Sequence, residues 1–173
     1  MIFDWLIWVF IGIILLFLVV VLRGAPYLPS HKRDLRRAFT ELYPIGAEDV
    51  LVDIGSGDGV VLRLAASHEA KAIGYEINPI LVLVSRLLSI KSPNIQTKWR
   101  DFWQTSLPAE VTVVYVFGES RDIKKMAEYV NNESVRLQKS IWLISYAFEV
   151  PGMKYERAIG AHFLYKFKAL HSR

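Results

Sequence analysis

Asp53 is followed by Gly55-Ser56-Gly57-Asp58-Gly59, and seventeen residues beyond the last of these glycines stands a second acid, Glu76, with Asn78 just after it. A turn with glycine at alternate positions lets backbone approach a ligand where any Cβ would collide. If that turn opens a helix, the free N–H groups of the first helical turn face the ligand. An acid at the spacing of Glu76 can accept hydrogen bonds from both hydroxyls of a ribose. The residues Asp53, Gly55, Ser56, Gly57, Asp58, Gly59, Glu76 and Asn78 therefore read together as a nucleoside site. The alternative, a glycine-rich turn with solvated aspartates, leaves Glu76 unexplained.

Two nucleoside ligands compete for such a site. Dinucleotides call for GxGxxG with room for a pyrophosphate, whereas here the third glycine comes one residue early and acids flank the loop. Carboxylates repel a pyrophosphate and attract the sulfonium and amino groups of S-adenosylmethionine. S-adenosylmethionine is thus the expected cofactor. Asp101, in Trp99-Arg100-Asp101-Phe102-Trp103, falls just past a third apolar segment, where its carboxylate can accept the adenine amino group while Phe102 packs on the ring. Trp99 and Trp103 read as core or rim residues.

Glu119 and Ser120 follow the apolar run 111–117, where a methyl acceptor would enter. Glu119 is the candidate catalytic residue, orienting an amine or taking its proton; the same pair reads equally as an N-cap by Ser120 beside a solvated acid. Methyl transfer is an in-line displacement, so catalysis rests on holding the acceptor lone pair against the methyl group in a dry site. A lysine acceptor, with an ordinary pKa of about 10.4, must first be neutral, which a low dielectric and a nearby positive charge favour. The chain has no cysteine, which excludes disulfides, thiolate nucleophiles and zinc-thiolate sites. His31, His68, His162 and His171 show no ligand spacing, and no metal is expected.

These residues need a scaffold that gathers them. Strands are expected over 50–54, 71–75, 95–99, 111–117 and 140–147, alternating with helices from Gly59 to about Ser67, from Pro79 to about Ser89 and over about 121–130. Such alternation means an α/β, Rossmann-like doubly wound sheet, mostly parallel, with helices on both faces. A last alternating run, 162–167, is expected as an antiparallel edge strand. Ligands of open α/β sheets bind beyond the carboxyl ends of the strands, where Asp53, Glu76, Asp101 and Glu119 all fall. Ahead of the sheet, Ser30 is a candidate N-cap for a helix to about Tyr43, with Leu35, Ala38, Phe39 and Leu42 on one face.

Residues 5–22 form eighteen consecutive uncharged, largely apolar positions, about 27 Å as a helix and close to a bilayer core. They are expected to be a retained transmembrane anchor rather than a cleaved signal, because the start carries Asp4 and no base. A linker with Pro26 and Pro29 and a basic juxtamembrane helix then fill 23–46, and the domain proper 47–173. Arg23, Lys32, Arg33, Arg36 and Arg37 follow the span, which places the domain on the cytoplasmic side and near anionic headgroups. The net charge is +4, and removing residues 1–22 takes away one acid and no base, leaving +5. Beyond the juxtamembrane stretch acids and bases are interspersed, which argues against a nucleic-acid partner. No Arg-rich transit peptide precedes the span, so a prokaryotic plasma membrane is expected.

Residues 25–147 resemble a family of class I, seven-strand-type methyltransferases, the membrane-anchored protein-lysine methyltransferases of mitochondria and their prokaryotic relatives. The motifs that carry the resemblance are Ala25-Pro26-Tyr27-Leu28-Pro29-Ser30, Leu51 to Gly59, Gly74-Tyr75-Glu76-Ile77-Asn78-Pro79 and Val116-Phe117-Gly118. The resemblance implies methylation of lysines on a membrane protein, as on the c-ring protein of ATP synthase or the ADP/ATP carrier. It further implies that Asp53 to Gly59 and Glu76 hold the cofactor, and that the Pro26–Ser30 segment, with Tyr27, closes over it. Glu119 and Ser120 depart from the family pattern. Methyltransferases of exocyclic base nitrogens resemble one another in an Asn/Asp-Pro-Pro-aromatic tetrapeptide, where this chain has Phe117-Gly118-Glu119-Ser120. Two rivals remain, a methyltransferase of lipid or membrane-dissolved small molecules and an anchored, non-catalytic S-adenosylmethionine sensor.

Overall fold

The computed structural model describes residues 5–14, 32–117 and 122–169. Residues 5–14 form a helix, α1, exposed along its length. Next comes α2 (Lys32–Arg37), continued by a π-helical turn over Ala38–Leu42. The Leu35, Ala38, Phe39 and Leu42 face is buried, as its spacing predicts. The alternation then runs β1 (Val50–Ile54), α3 (Val60–Ser67), β2 (Lys71–Glu76), α4 (Pro79–Leu88), β3 (Ile95–Trp99), β4 (Val113–Phe117), α5 (Ile123–Arg136) and β5 (Ile141–Tyr146). Two strands close it, β6 (Arg157–Ile159) and β7 (His162–Phe167).

The sheet order is β3-β2-β1-β4-β5-β7-β6. Strands β1 to β5 pair in parallel, and β7 runs antiparallel between β5 and β6. Val50, Val52 and Ile54 of β1 face the α5 layer, while Leu51 faces α2 and α3. Every residue of β1 is buried, which is why it reads as an unbroken apolar run and not as an alternation. The same parity puts Asp53 on the α3 face, at the carboxyl end of a central strand.

Three expectations are corrected. The run 162–167 is a strand, but β6 lies beyond it and is the edge; β6 is short and mostly exposed, held by its pairing with β7 rather than by an apolar pattern. Helix α5 starts and ends later than expected, because its last turns are fastened by a buried acid. Glu133 accepts from the Leu107 backbone N–H at 2.5 Å and pairs with Arg136 at 2.7 Å. The expected span at 5–22 is described only over 5–14, about 15 Å of helix, and residues 15–22 lie outside the described residues. Among the described residues no helix is long and apolar enough to cross a membrane.

Candidate functional site

Strand β1 delivers Asp53 to the carboxyl edge, and the chain then turns through Gly55, Gly57 and Gly59 with φ of 75°, 54° and 81°. All three lie in the left-handed region that side chains resist, so the spacing of glycines follows the backbone. The turn is fixed to β2 by donation from the Gly55 and Ser56 N–H groups to the Tyr75 carbonyl, at 2.9 and 3.1 Å. Two glycines also make room for packing. A Cβ on Gly59 would strike the Ser85 hydroxyl of α4, and one on Gly74 would strike Ser56 and the Leu62 side chain, 2.7 Å away.

Glu76 closes the loop from the other side. Its carboxylate accepts from the Gly57 N–H at 2.9 Å and from the Asn78 N–H at 2.8 Å, one bond to each oxygen. A carboxylate has about four acceptor positions, so two remain for ribose hydroxyls. Asp53 is 3 % exposed and has no hydrogen-bond partner among the described residues. Burial, with Glu76 and then Asp58 beside it, pushes its pKa well above the ordinary carboxylate value. The Ser56 hydroxyl is likewise buried without a partner. A buried, unpartnered acid facing a second carboxylate across a glycine turn fits a ligand that brings cationic and hydroxyl groups together, as S-adenosylmethionine does.

Other expected contacts are already engaged. Asp58 is paired with Arg63 at 3.1 Å and caps the Val60 N–H at 3.2 Å, so the excess negative charge of the site rests on Asp53 and Glu76. The Asn78 side chain caps α4, accepting from Ile80 at 3.0 Å and Leu81 at 3.4 Å, and its contribution to the cleft is to hold Glu76 through its backbone. Asp101 caps the short 3₁₀ turn Phe102–Gln104, accepting from the Trp103 N–H at 3.0 Å and the Gln104 amide at 3.3 Å. Phe102 is half-buried against the α5-side core and 4.2 Å from the Trp103 ring. Trp99 lies at the rim, as expected. Tyr27, Gly118, Glu119 and Ser120 lie outside the described residues.

Reasoning from sequence missed an aromatic group on the same face as Asp53. Tyr115, Tyr146 and His162 converge beyond β4 and β5, with the Tyr115 hydroxyl 3.1 Å from His162 Nε2 and the Tyr146 ring 4.6 Å from the imidazole. His162 is fully buried and held neutral, its pKa lowered by burial to about 4. The alternation of 162–167 marks the strand but not its position in the sheet, and position is what buries the histidine. Among the described residues no cluster of His, Asp and Glu could hold a metal.

The 3-2-1-4-5-7-6 order with one reversed strand, the glycine turn after β1 and the acid at the end of β2 define a class I, S-adenosylmethionine-dependent methyltransferase domain. The model of the ANTKMT methyltransferase domain matches residues 53–157, and the chain belongs to that family. It is 30% identical over 129 residues to the lysine N-methyltransferase of the ATP synthase c-ring protein from Xenopus laevis, covering 73% of this chain and 54% of that one. It is 26% identical over 133 residues to a protein-lysine N-methyltransferase of Saccharolobus islandicus, covering 73% and 79%. The crystal structure of an RNA methyltransferase from Salinibacter ruber with S-adenosyl-L-homocysteine superposes with a TM-score of 0.72 at 24% identity, over 82% of this chain and 94% of that one. That likeness is one of fold. The chain spans about half the length of the ATP synthase lysine methyltransferases it matches.

Proposed function

We propose that this domain transfers the methyl group of S-adenosylmethionine to lysine side chains of a membrane-associated protein. The observation that carries the reading is the family match across the very residues that build the cleft, Asp53 to Glu76 and onward. Relatives named as lysine N-methyltransferases of the ATP synthase c-ring protein and of the adenine nucleotide translocase support a membrane-protein acceptor. The cofactor supplies an electrophilic methyl beside a positive sulfur. Asp53 and Glu76 hold and orient it, and the acceptor approaches from beyond β4, where Phe117 and Tyr146 pack at 5.1 Å. The lysine nitrogen forms the new C–N bond as the C–S bond breaks, and the surplus proton leaves to solvent or to Glu119.

In the same reading residues 5–22 anchor the chain and the basic stretch Lys32, Arg33, Arg36 and Arg37 lies against anionic headgroups, with the domain on the cytoplasmic side of a prokaryotic plasma membrane. Arg33, Arg36 and Arg37 are exposed, which supports that placement. Confinement at the bilayer raises the effective concentration of a membrane-borne acceptor without any new contact. The test is transfer of radiolabelled methyl from S-adenosylmethionine to membranes of a strain lacking this protein. Label in a discrete protein band, traced to lysine, is expected; label in the lipid extract would move the acceptor to a lipid, and cofactor binding without label would leave a sensor.

A further inference from the structure

Ten large apolar side chains are exposed between residues 32 and 169 among those described, and seven of them lie between Ile77 and Trp99. Ile80, Leu83 and Leu87 recur at helical spacing on the outer side of α4, with Ile90 just past its end and 79 % exposed. The inner side, Val82 and Ser85, is buried against the sheet, and Ser85 bonds Thr97 of β3 at 2.7 Å. This helix is therefore apolar on both sides although one faces out, whereas a surface helix ordinarily turns charge to solvent. Trp99 extends the strip, 64 % exposed, with its indole N–H donated to the Ile77 carbonyl at 3.0 Å so that the ring is held in place.

The charge of this edge has one sign. From Ile77 to Arg100 the chain carries Arg86, Lys91, Lys98 and Arg100 and no acid at all. None of the four is paired with a carboxylate among the described residues. Arg86 is oriented by two bonds to the Thr97 carbonyl, at 2.9 and 3.1 Å. Lys98 and Arg100, on the opposite face of the same edge strand, line an acid-free pocket with Tyr75, Thr105 and Ser106. Apolar side chains with a tryptophan, rimmed by unpaired cations, match the interface of an anionic bilayer. A nucleic-acid surface would pair its cations with aromatic stacking platforms rather than with a leucine and isoleucine stripe.

We propose that the α4–β3 edge is a second, monotopic membrane contact that seats Ile80, Leu83, Leu87, Ile90 and Trp99 in an anionic lipid interface. The stripe starts one residue beyond Glu76, so docking brings the cofactor cleft to the bilayer surface. The contact is a property of the folded domain and depends neither on residues 5–22 nor on the identity of the acceptor.

The chain has no cysteine, so a single introduced thiol carries a fluorophore without background. The full chain with Leu87→Cys, and separately with Glu128→Cys on the exposed side of α5, is reconstituted into phosphatidylcholine vesicles with and without phosphatidylglycerol. Some of the lipid carries a doxyl quencher on the acyl chain near the headgroup. The Leu87 probe should lose several-fold more emission than the Glu128 probe. The difference should grow with phosphatidylglycerol and shrink in a Lys98→Glu, Arg100→Glu background. Ile90→Cys, a change at an open surface position, should repeat the result if Leu87→Cys disturbs packing. Equal quenching at the two faces overturns the proposal. So does a Leu87 probe shielded from aqueous iodide yet untouched by the doxyl lipid, because protein would then cover the stripe.

Discussion

Asp53 is buried beside Glu76 with no donor of its own, and that isolation has a measurable sign. An unfolded aspartate loses its proton near pH 4, while the folded Asp53 keeps it to higher pH, so folding binds a proton. The contribution to stability of the cofactor-free protein is full below about pH 4 and is lost as pH rises through the displaced value. Asp53→Asn should therefore raise the melting temperature of the cofactor-free protein at neutral pH while weakening the cofactor; a variant that melts lower at every pH would show that Asp53 is stabilising after all. Glu76→Ala should remove a charge-assisted ribose contact, about 1.5 to 3 kcal/mol of cofactor affinity by calorimetry. Unchanged affinity with the fold intact would take Glu76 out of the site. These two acids are legible in the sequence because they are isolated, and each follows an apolar run. Asp58 is equally visible but its role is not, since its pairing with Arg63 depends on the first turn of α3 placing the guanidinium back over the loop.

At the level of elements, β1, β2 and β3 can be read almost to the residue because each is bounded by a glycine, an acid or a change of composition. Strand β6 cannot, since Arg157, Ala158 and Ile159 gain their conformation from β7 and not from any period of their own. The join between β2 and the glycine turn rests on Gly74, whose missing side chain leaves space for Ser56 and Leu62. Gly74→Ala should overpack that contact, destabilise the domain by about 1 to 3 kcal/mol and reduce cofactor affinity together with it. Thermal melts and calorimetry on one sample separate these effects, and a fully stable variant with normal affinity would refute the close approach. Strand β7 brings its own titration. His162 is neutral when folded, with a pKa of about 4 against 6.5 when exposed. Stability should fall as pH drops through that window, by up to about 3 kcal/mol. His162→Phe, which removes the proton-binding ring, should flatten the slope; an unaltered slope would assign it to other groups.

For the whole molecule, the arrangement concentrates chemistry along one side. The cleft between β1 and β2, the α4–β3 edge and the aromatic group beyond β4 and β5 all border the carboxyl ends of the strands. Deleting residues 1–22 should leave cofactor affinity near that of the full chain and slow methylation in membranes. Equal rates with and without the segment would end the confinement argument. The order of the sheet has a further consequence, for biosynthesis. A chain emerging from a ribosome completes β5 well before the strand that will flank it, because His162–Phe167 follows Tyr146 only after β6. Until then Ile141–Tyr146 offers a row of unpaired amides and a strip of apolar side chains, a template for pairing with a neighbouring nascent chain on the same messenger. Ribosome pausing between codons 147 and 161 would prolong that exposure, and slow codons there should lower the soluble yield while identical changes after codon 169 leave it alone.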